Sequence, residues 1–212
     1  MIDKIEVFKQ NHIKINANGK DVRIDPFQTD TADNSADFIL ITHDHRDHFS
    51  VRDIERTACE KTVLAVPETM KDKAEAVAHC VRKIVTVVPG NSYNIDGLEF
   101  ETVPAYNIGK PFHPKSAGWV GYILKVNGER IYVAGDTDKT EEALAVKCDI
   151  AIVPAGGTYT MNAGQAADLV NSMKPKVAIP VHYGGIVGSK KDGMTFKTRV
   201  NKEIDVVLKI KF

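Results

Sequence analysis

Residues Phe38 to Thr42 form a run apolar enough to be a strand buried on both faces, and it ends without a spacer in His43-Asp44-His45-Arg46-Asp47-His48. A strand of that kind needs cover on each side, so the chain is expected to build layered sheets rather than one sheet with a wet face. The hexapeptide places the metal-ligand side chains His43, His45, Asp47 and His48 at the strand's end. Alternate residues of an extended chain point the same way. His43 and His45 can therefore meet one ion, while Asp47 and His48, in the following turn, face a neighbouring position. Neutral imidazoles and carboxylates suit zinc, iron or manganese at an open site that keeps a bound water.

The rest of the pattern fills in the layers. Strands are expected at Lys4 to Phe8, His12 to Asn16 and Asp21 to Ile24, with a turn at Asn18-Gly19. Helices follow at Val51 to Cys59 and at Glu68 to His79, the second opening after Pro67. In the second half, Gly121 to Val126 and Arg130 to Ala134 flank Asn127-Gly128, a strong hairpin signal. A helix over Thr140 to Val146, a buried strand Ile150 to Val153, a helix Ala163 to Met173 and a strand Val177 to Val181 complete the pattern. Hairpins mixed into a strand–helix alternation favour mixed sheets covered by helices over a purely doubly wound fold. No low-complexity tract or linker-like run divides the chain, so residues 1–212 are expected to form a single domain.

Composition narrows the function classes. Lys+Arg 28 against Asp+Glu 28 leaves no net charge to recruit nucleic acid or an anionic membrane. Cys59, Cys80 and Cys148 contain no CxxC pair, which argues against a disulfide framework and a thiolate zinc knuckle. There is no long apolar stretch, and the first residues lack a signal-peptide core, so a cytoplasmic location is expected. The seven histidines are what remain to be explained.

Two further positions have a physical claim on the same chemistry. Asp136 follows the strand Arg130 to Ala134 and a glycine, so its carboxylate would emerge at a sheet rim where it could bridge two cations. Taken alone, Gly-Asp-Thr also reads as a turn or a helix cap. His182 ends an apolar strand after Pro180 and gains a ligand reading from the His43 cluster.

The spacing His43-Asp44-His45-Arg46-Asp47-His48 matches without a gap the H-x-H-x-D-H hallmark of the metallo-β-lactamase superfamily. Ile24-Asp25-Pro26-Phe27 resembles the strand before that motif, Ala134-Gly135-Asp136-Thr137 the family's bridging-aspartate motif, and Ile179-Pro180-Val181-His182-Tyr183 its final histidine motif. The resemblance covers essentially the whole chain. It is similar in particular to the small bacterial and archaeal metal-dependent hydrolases of the superfamily. The resemblance implies the α+β four-layer αββα sandwich and a hydrolase with two divalent metal ions, zinc first, with manganese, iron or nickel as alternatives. It implies one ion held by His43, His45 and a further histidine, a second by Asp47, His48 and His182, and Asp136 between them. A metal-bound hydroxide would then attack a small substrate such as a phosphodiester, lactone or related ester or amide. Asp47 would orient that hydroxide or shuttle its proton.

The third histidine of the first ion lies between the hexapeptide and Asp136, where the chain offers His79 and His113. His79 belongs to an amphipathic helix and is discounted. His113 is the ligand expected, with Tyr106 or Asn107 as the competing reading, because Val103-Pro104-Ala105-Tyr106 aligns with the family's usual strand. His12 reads as a strand-face histidine. Lys110, Lys115, Lys190 and Lys191 lean towards an anionic substrate, and Thr158, Tyr159 and Met161 are placed at the pocket mouth. The neutral balance favours a small-molecule substrate over nucleic acid and is compatible with a homo-oligomer. A metal-binding domain of the same fold with a redox, dioxygenase-like role or a non-catalytic one is the alternative.

Overall fold

The computed structural model describes residues 1–212. Strands β1 (Ile5–Val7), β2 (Ile13–Ala17), β3 (Lys20–Ile24), β4 (Phe38–Leu40), β5 (Val63–Pro67) and β6 (Lys83–Val87) form one sheet in that order. The other sheet runs from β7 (Ser92–Ile95) through β8 (Leu98–Pro104), β9 (Val120–Val126), β10 (Glu129–Val133), β11 (Ile150–Pro154) and β12 (Val177–Val181) to β13 (Asp205–Val206). Each sheet begins antiparallel and ends parallel: β3 to β6 are parallel in the first, β10 to β13 in the second.

Period-two alternation sorts the side chains into layers. Phe38 and Leu40 enter the core between the sheets together with Ile131, Val133, Ile150, Ile152, Ile179 and Val181. Their neighbours Ile39 and Ile41 face outward and pack on Ile54 of α1 (Val51–Thr57) and Ala74 of α2 (Lys71–Ala74). On the far side Tyr132, Ala151, Val153 and Ala178 pack under α3 (Glu141–Ala145), α4 (Ala163–Met173) and α5 (Asp192–Arg199). Four layers, αββα, result, and the strand at Phe38 is buried on both faces as its composition requires.

Three hairpin turns carry both central residues at positive φ: Asn18-Gly19, Asp96-Gly97 and Asn127-Gly128. The first and third of these turns are expected from the sequence, whereas the β7–β8 hairpin around Asp96-Gly97 is not among the expected elements. Strands β5 and β6 and helix α5 were likewise not expected. The helix expected over Glu68 to His79 is broken, because 3₁₀ turns at Glu68–Met70 and Glu75–Cys80 flank only four α-helical residues. Helix α4 and strand β12 have the bounds read from the sequence, helped in α4 by the Asn162–Gln165 capping box.

The topology gathers one edge. Because β3 and β4 are parallel, as are β10, β11 and β12, the residues after these strands emerge together at carboxyl ends, the usual place for a site in a parallel sheet. Strand β8 is antiparallel to β9, which is antiparallel to β10, so the loop leaving Pro104 opens on that edge too. Gly135 packs tightly against Thr42 and Val120 near this edge. It adopts φ +64°, and a Cβ there would lie 3.1 Å from Thr42 Cβ and 3.2 Å from Val120 O.

Candidate metal centre

All seven expected ligand residues meet at this edge. Their donor atoms form three overlapping groups, His43 with His45 and His113, His43 with His48 and Asp136, and Asp47 with His48 and His182, each within 4.8 Å. In the first group His43 Nε2 lies 3.1 Å from His45 Nδ1 and 3.4 Å from His113 Nε2. Facing it, His48 Nε2 lies 3.3 Å from His182 Nε2, which is 3.2 Å from Asp47 Oδ2. Asp136 joins the two sets: its Oδ2 is 3.9 Å from His43 Nε2, 3.4 Å from His113 Nε2 and 3.4 Å from His182 Nε2.

These spacings suit cations rather than hydrogen bonds among the rings. A tetrahedral ion with bonds of about 2.0–2.1 Å has neighbouring ligand atoms about 3.3 Å apart, close to the nitrogen separations above. Asp136 Oδ1 is buried with no hydrogen-bond partner, which is costly unless something positive completes it. The nitrogen and oxygen donors, with no thiolate among them, could hold zinc, manganese or iron.

Behind the donors sits a set of orienting contacts. Asp25 Oδ2 lies 2.7 Å from His48 Nδ1 and accepts from Asn11 Nδ2 and from Thr42 Oγ1, both at 2.7 Å. Thr42 Oγ1 is also 3.0 Å from His43 Nδ1. Asn107 Oδ1 holds His113 Nδ1 at 2.9 Å, and Asn107 Nδ2 donates to Tyr159 O. With Nδ1 so engaged, each of these rings turns Nε2 towards the cluster. Gln10 braces the other side: its main-chain carbonyl accepts from His182 N, and its Nε2 donates to Asp47 Oδ2 at 3.3 Å. Trp119 closes one wall, its ring 5.1 Å from those of His43 and His45 and 5.5 Å from that of His113. Two site residues sit in the left-handed region, Asp25 at φ 45° and His182 at φ 56°, a strain of the kind that clusters at functional sites.

Protonation follows the same geometry. Burial pushes the Asp136 carboxyl up, but His182 and His48 outweigh it and hold it well below the usual carboxylate range. Burial also pushes Asp47 up, and the hydrogen bond from His182 with the charges of His48 and His182 brings it below that range. Desolvation lowers His48, yet Asp136 and Asp25 raise it well above an ordinary histidine. His43 is driven well down, by burial first and by His48 next.

Of the candidates for the third position, the geometry brings His113 into the donor group and neither Tyr106 nor Asn107. Tyr106 turns its hydroxyl to Glu142 Oε2 at 2.7 Å, and Asn107 supports His113 instead of standing in for it. His79 is exposed and pairs with Glu55 at 3.2 Å. His12 lies one residue before β2, buried, stacked on Phe8 at 4.5 Å, with neither ring nitrogen hydrogen-bonded. Lys110 is taken up by Asp138 and Thr160 O, and Lys115 by Glu142, so neither presents free charge to a substrate. Met161 is buried in the core under α4, whereas Tyr159 stays exposed and packs edge-on against Phe112 at 4.7 Å. Asp25 was visible as part of a motif without a role, and nothing in the sequence marked Gln10, Asn11 or Trp119.

Comparison with known proteins places the chain in a family. The sequence profile of the family described as Beta-lactamase superfamily domain matches residues 4–182. The chain is 32% identical over 206 residues to the UPF0173 metal-dependent hydrolase of Pyrococcus furiosus, covering 89% of this chain and 88% of that one. A crystal structure from Parabacteroides distasonis, of a protein proposed to be a metal-dependent hydrolase, superposes with a TM-score of 0.81 at 29% identity over 97% of this chain and 91% of that chain. A metallo hydrolase from Ignicoccus hospitalis shares the fold with a TM-score of 0.78 at 22% identity, covering 96% and 93% of the two chains. The chain belongs to the metallo-β-lactamase superfamily. Its similarity to the metal-dependent hydrolases within that superfamily extends over most of its length. No helix is long and apolar enough to cross a membrane.

Proposed function

We propose that the chain is a hydrolase that works with two divalent cations, zinc first among them, on a small molecule with an ester, lactone, amide or phosphodiester bond. The observation that carries this reading is Asp136, whose Oδ2 faces His43, His113 and His182 at once. His43, His45, His113 and Asp136 would hold one cation, and Asp47, His48, His182 and Asp136 the other. When bound, such a pair supplies Lewis acidity and brings a water to deprotonation near neutral pH.

The protein's own part is positioning. Asp47 is half-buried, faces the cluster and stays ionised, so its Oδ2 serves as a hydrogen-bond acceptor that orients the attacking water rather than as a store for its proton. Asp25, Thr42 and Asn107 fix the ring orientations so that no side chain must reorganise during turnover. Trp119 shields the first group of histidines from water. A cytoplasmic location and one domain over residues 1–212 belong to the same reading.

Elemental analysis of protein purified without added metal, followed by turnover assays on phosphodiester, lactone and thioester panels, tests it. Two equivalents of zinc and turnover in one panel are the expected result. Iron with dioxygen consumption would favour the redox alternative, and a chain that takes up no metal after reconstitution would refute both.

A further inference from the structure

A cavity of about 610 Å³ opens beside Asp47, walled by Phe27, Phe49 and Ile186 and carrying Arg46 and Arg52. Its size is that of a small-molecule pocket. Asp47 is both a donor of the metal centre and part of this wall, so the cavity is continuous with the reacting edge. Four other arginines are spent on internal partners: Arg23 on Asp21 and Asp33, Arg82 on Asp96, Arg130 on Glu101, Arg56 on the carbonyl of Asp30. Arg46 and Arg52 are exposed and make no ion pair and no hydrogen bond within the protein. The second carboxylate of the cavity, Asp53, is already saturated, accepting from Gln28 N, Thr29 N, Thr29 Oγ1 and Ser50 Oγ. Two free guanidiniums over an aromatic floor match a ligand with an oxyanion at one end and an apolar body, because the planar fork binds carboxylate or phosphate oxygens in pairs.

Resting on the hydrolase reading above, we infer that this cavity is the subsite for an anionic substituent of the substrate, an oxyanion on an apolar stem gripped by Arg46 and Arg52. Of the lysines that the sequence offered for this task, Lys110 and Lys115 are paired with Asp138 and Glu142 and none lines this cavity, so specificity for charge comes from the residue inside the metal motif and from the helix that follows it. Arg46 and Arg52 are specificity-determining residues on this view, and the metal donors act on a bond a short distance along the same molecule.

The test is calorimetric titration of 4-phenylbutyrate, 3-phenylpropylphosphonate and the neutral 4-phenylbutyramide into the wild type, Arg52→Gln and Arg46→Gln/Arg52→Gln, each metal-free and zinc-loaded. The acids are expected to bind at least tenfold more tightly than the amide in both metal states, and the double variant to lose at least tenfold. Arg52→Gln, on the exposed face of α1, is expected to lose severalfold, which keeps the test independent of any disturbance at Arg46 beside the donors. The tighter of the two acids identifies the carboxylate or the phosphate class. Equal affinity for acid and amide, undiminished binding in the double variant, or binding seen only with zinc present would overturn the subsite. Wild-type turnover of neutral and anionic aryl esters separates the two readings. No turnover of either overturns the hydrolase reading and leaves arginine-dependent anion binding standing, whereas turnover without anion preference overturns the subsite alone.

Discussion

Asp25 and His48 are joined by a 2.7 Å contact between Oδ2 and Nδ1, both side chains fully buried, and this contact aims the other nitrogen of His48 at Asp136 and His182. Asp25→Asn keeps the shape and tolerates the positive φ of that position, but gives up the charge. Loss of such a contact typically costs about 10–100-fold in metal affinity. The variant is therefore expected to bind its second equivalent of metal that much more weakly in competition with a chromophoric chelator, while folding normally by circular dichroism.

Asp136 is the one residue common to both donor sets. Asp136→Ala is expected to reduce zinc content from two equivalents to at most one and to abolish turnover, and His43→Ala to abolish turnover as well. Secondary structure should be retained in each. Unchanged turnover on a good substrate in either variant would contradict the two-cation reading.

Asn107 and Tyr106 make opposite predictions. Asn107→Ala frees the His113 ring and is expected to weaken metal binding about tenfold, with recovery in Asn107→Asp, whose carboxylate can accept from Nδ1. Tyr106→Phe removes only its hydroxyl's hydrogen bonds with Glu142 and Lys115, away from the donors, so metal content should stay at the wild-type value. Quenching of Trp119, the single tryptophan, reads out binding at the His43, His45 and His113 group in each case.

Metal uptake should weaken as pH falls. In the metal-free chain His48 is held protonated well above the ordinary histidine range by Asp136 and Asp25, and a cation must displace that proton. Zinc titrations followed by Trp119 fluorescence from pH 8 down to pH 6 are expected to show a steady loss of apparent affinity. A flat profile would place the proton elsewhere.

His12 supplies a separate acid sensitivity. Burial, with Arg23 adding, lowers its pKa from 6.5 to about 4. Between those values the unfolded chain binds a proton the folded chain refuses, so stability present above pH 6.5 is lost as pH falls towards 4. At pH 5 the deficit is about 2 kcal/mol. Replacing the ring by an apolar side chain of similar size removes it. The gap between the urea midpoints of His12→Leu and wild type should therefore shift in the variant's favour on going from pH 7 to pH 5.

The sequence carried the donors because a metal centre built on strand ends concentrates its chemistry in short local motifs. His43 to His48 form one turn, and Asp136 and His182 each follow a short apolar strand. The αββα layering was implied by the family resemblance, whereas the residues themselves showed only that the strand at Phe38 is buried on both faces, a local property of its apolar run. Less legible were strands β6 and β7, whose half-buried residues lack a sustained apolar pattern. The supporting contacts were hidden because they join distant positions, as Asn11 does with Asp25 and Gln10 with Asp47, 37 residues apart. The free state of Arg46 and Arg52, too, is visible only in the structure, where neither guanidinium meets an internal partner beside the cavity.

His48 and His182 stand 134 positions apart in the chain, yet their rings lie stacked 5.3 Å apart. During synthesis the first four donors leave the ribosome long before the last, and a chain that has emerged only through β11 can offer the cluster every donor except His182. Full occupancy thus reports that both sheets have been made and docked. A pulse of metal given to nascent chains of increasing length should be retained as a tight pair only once residue 182 has cleared the exit tunnel.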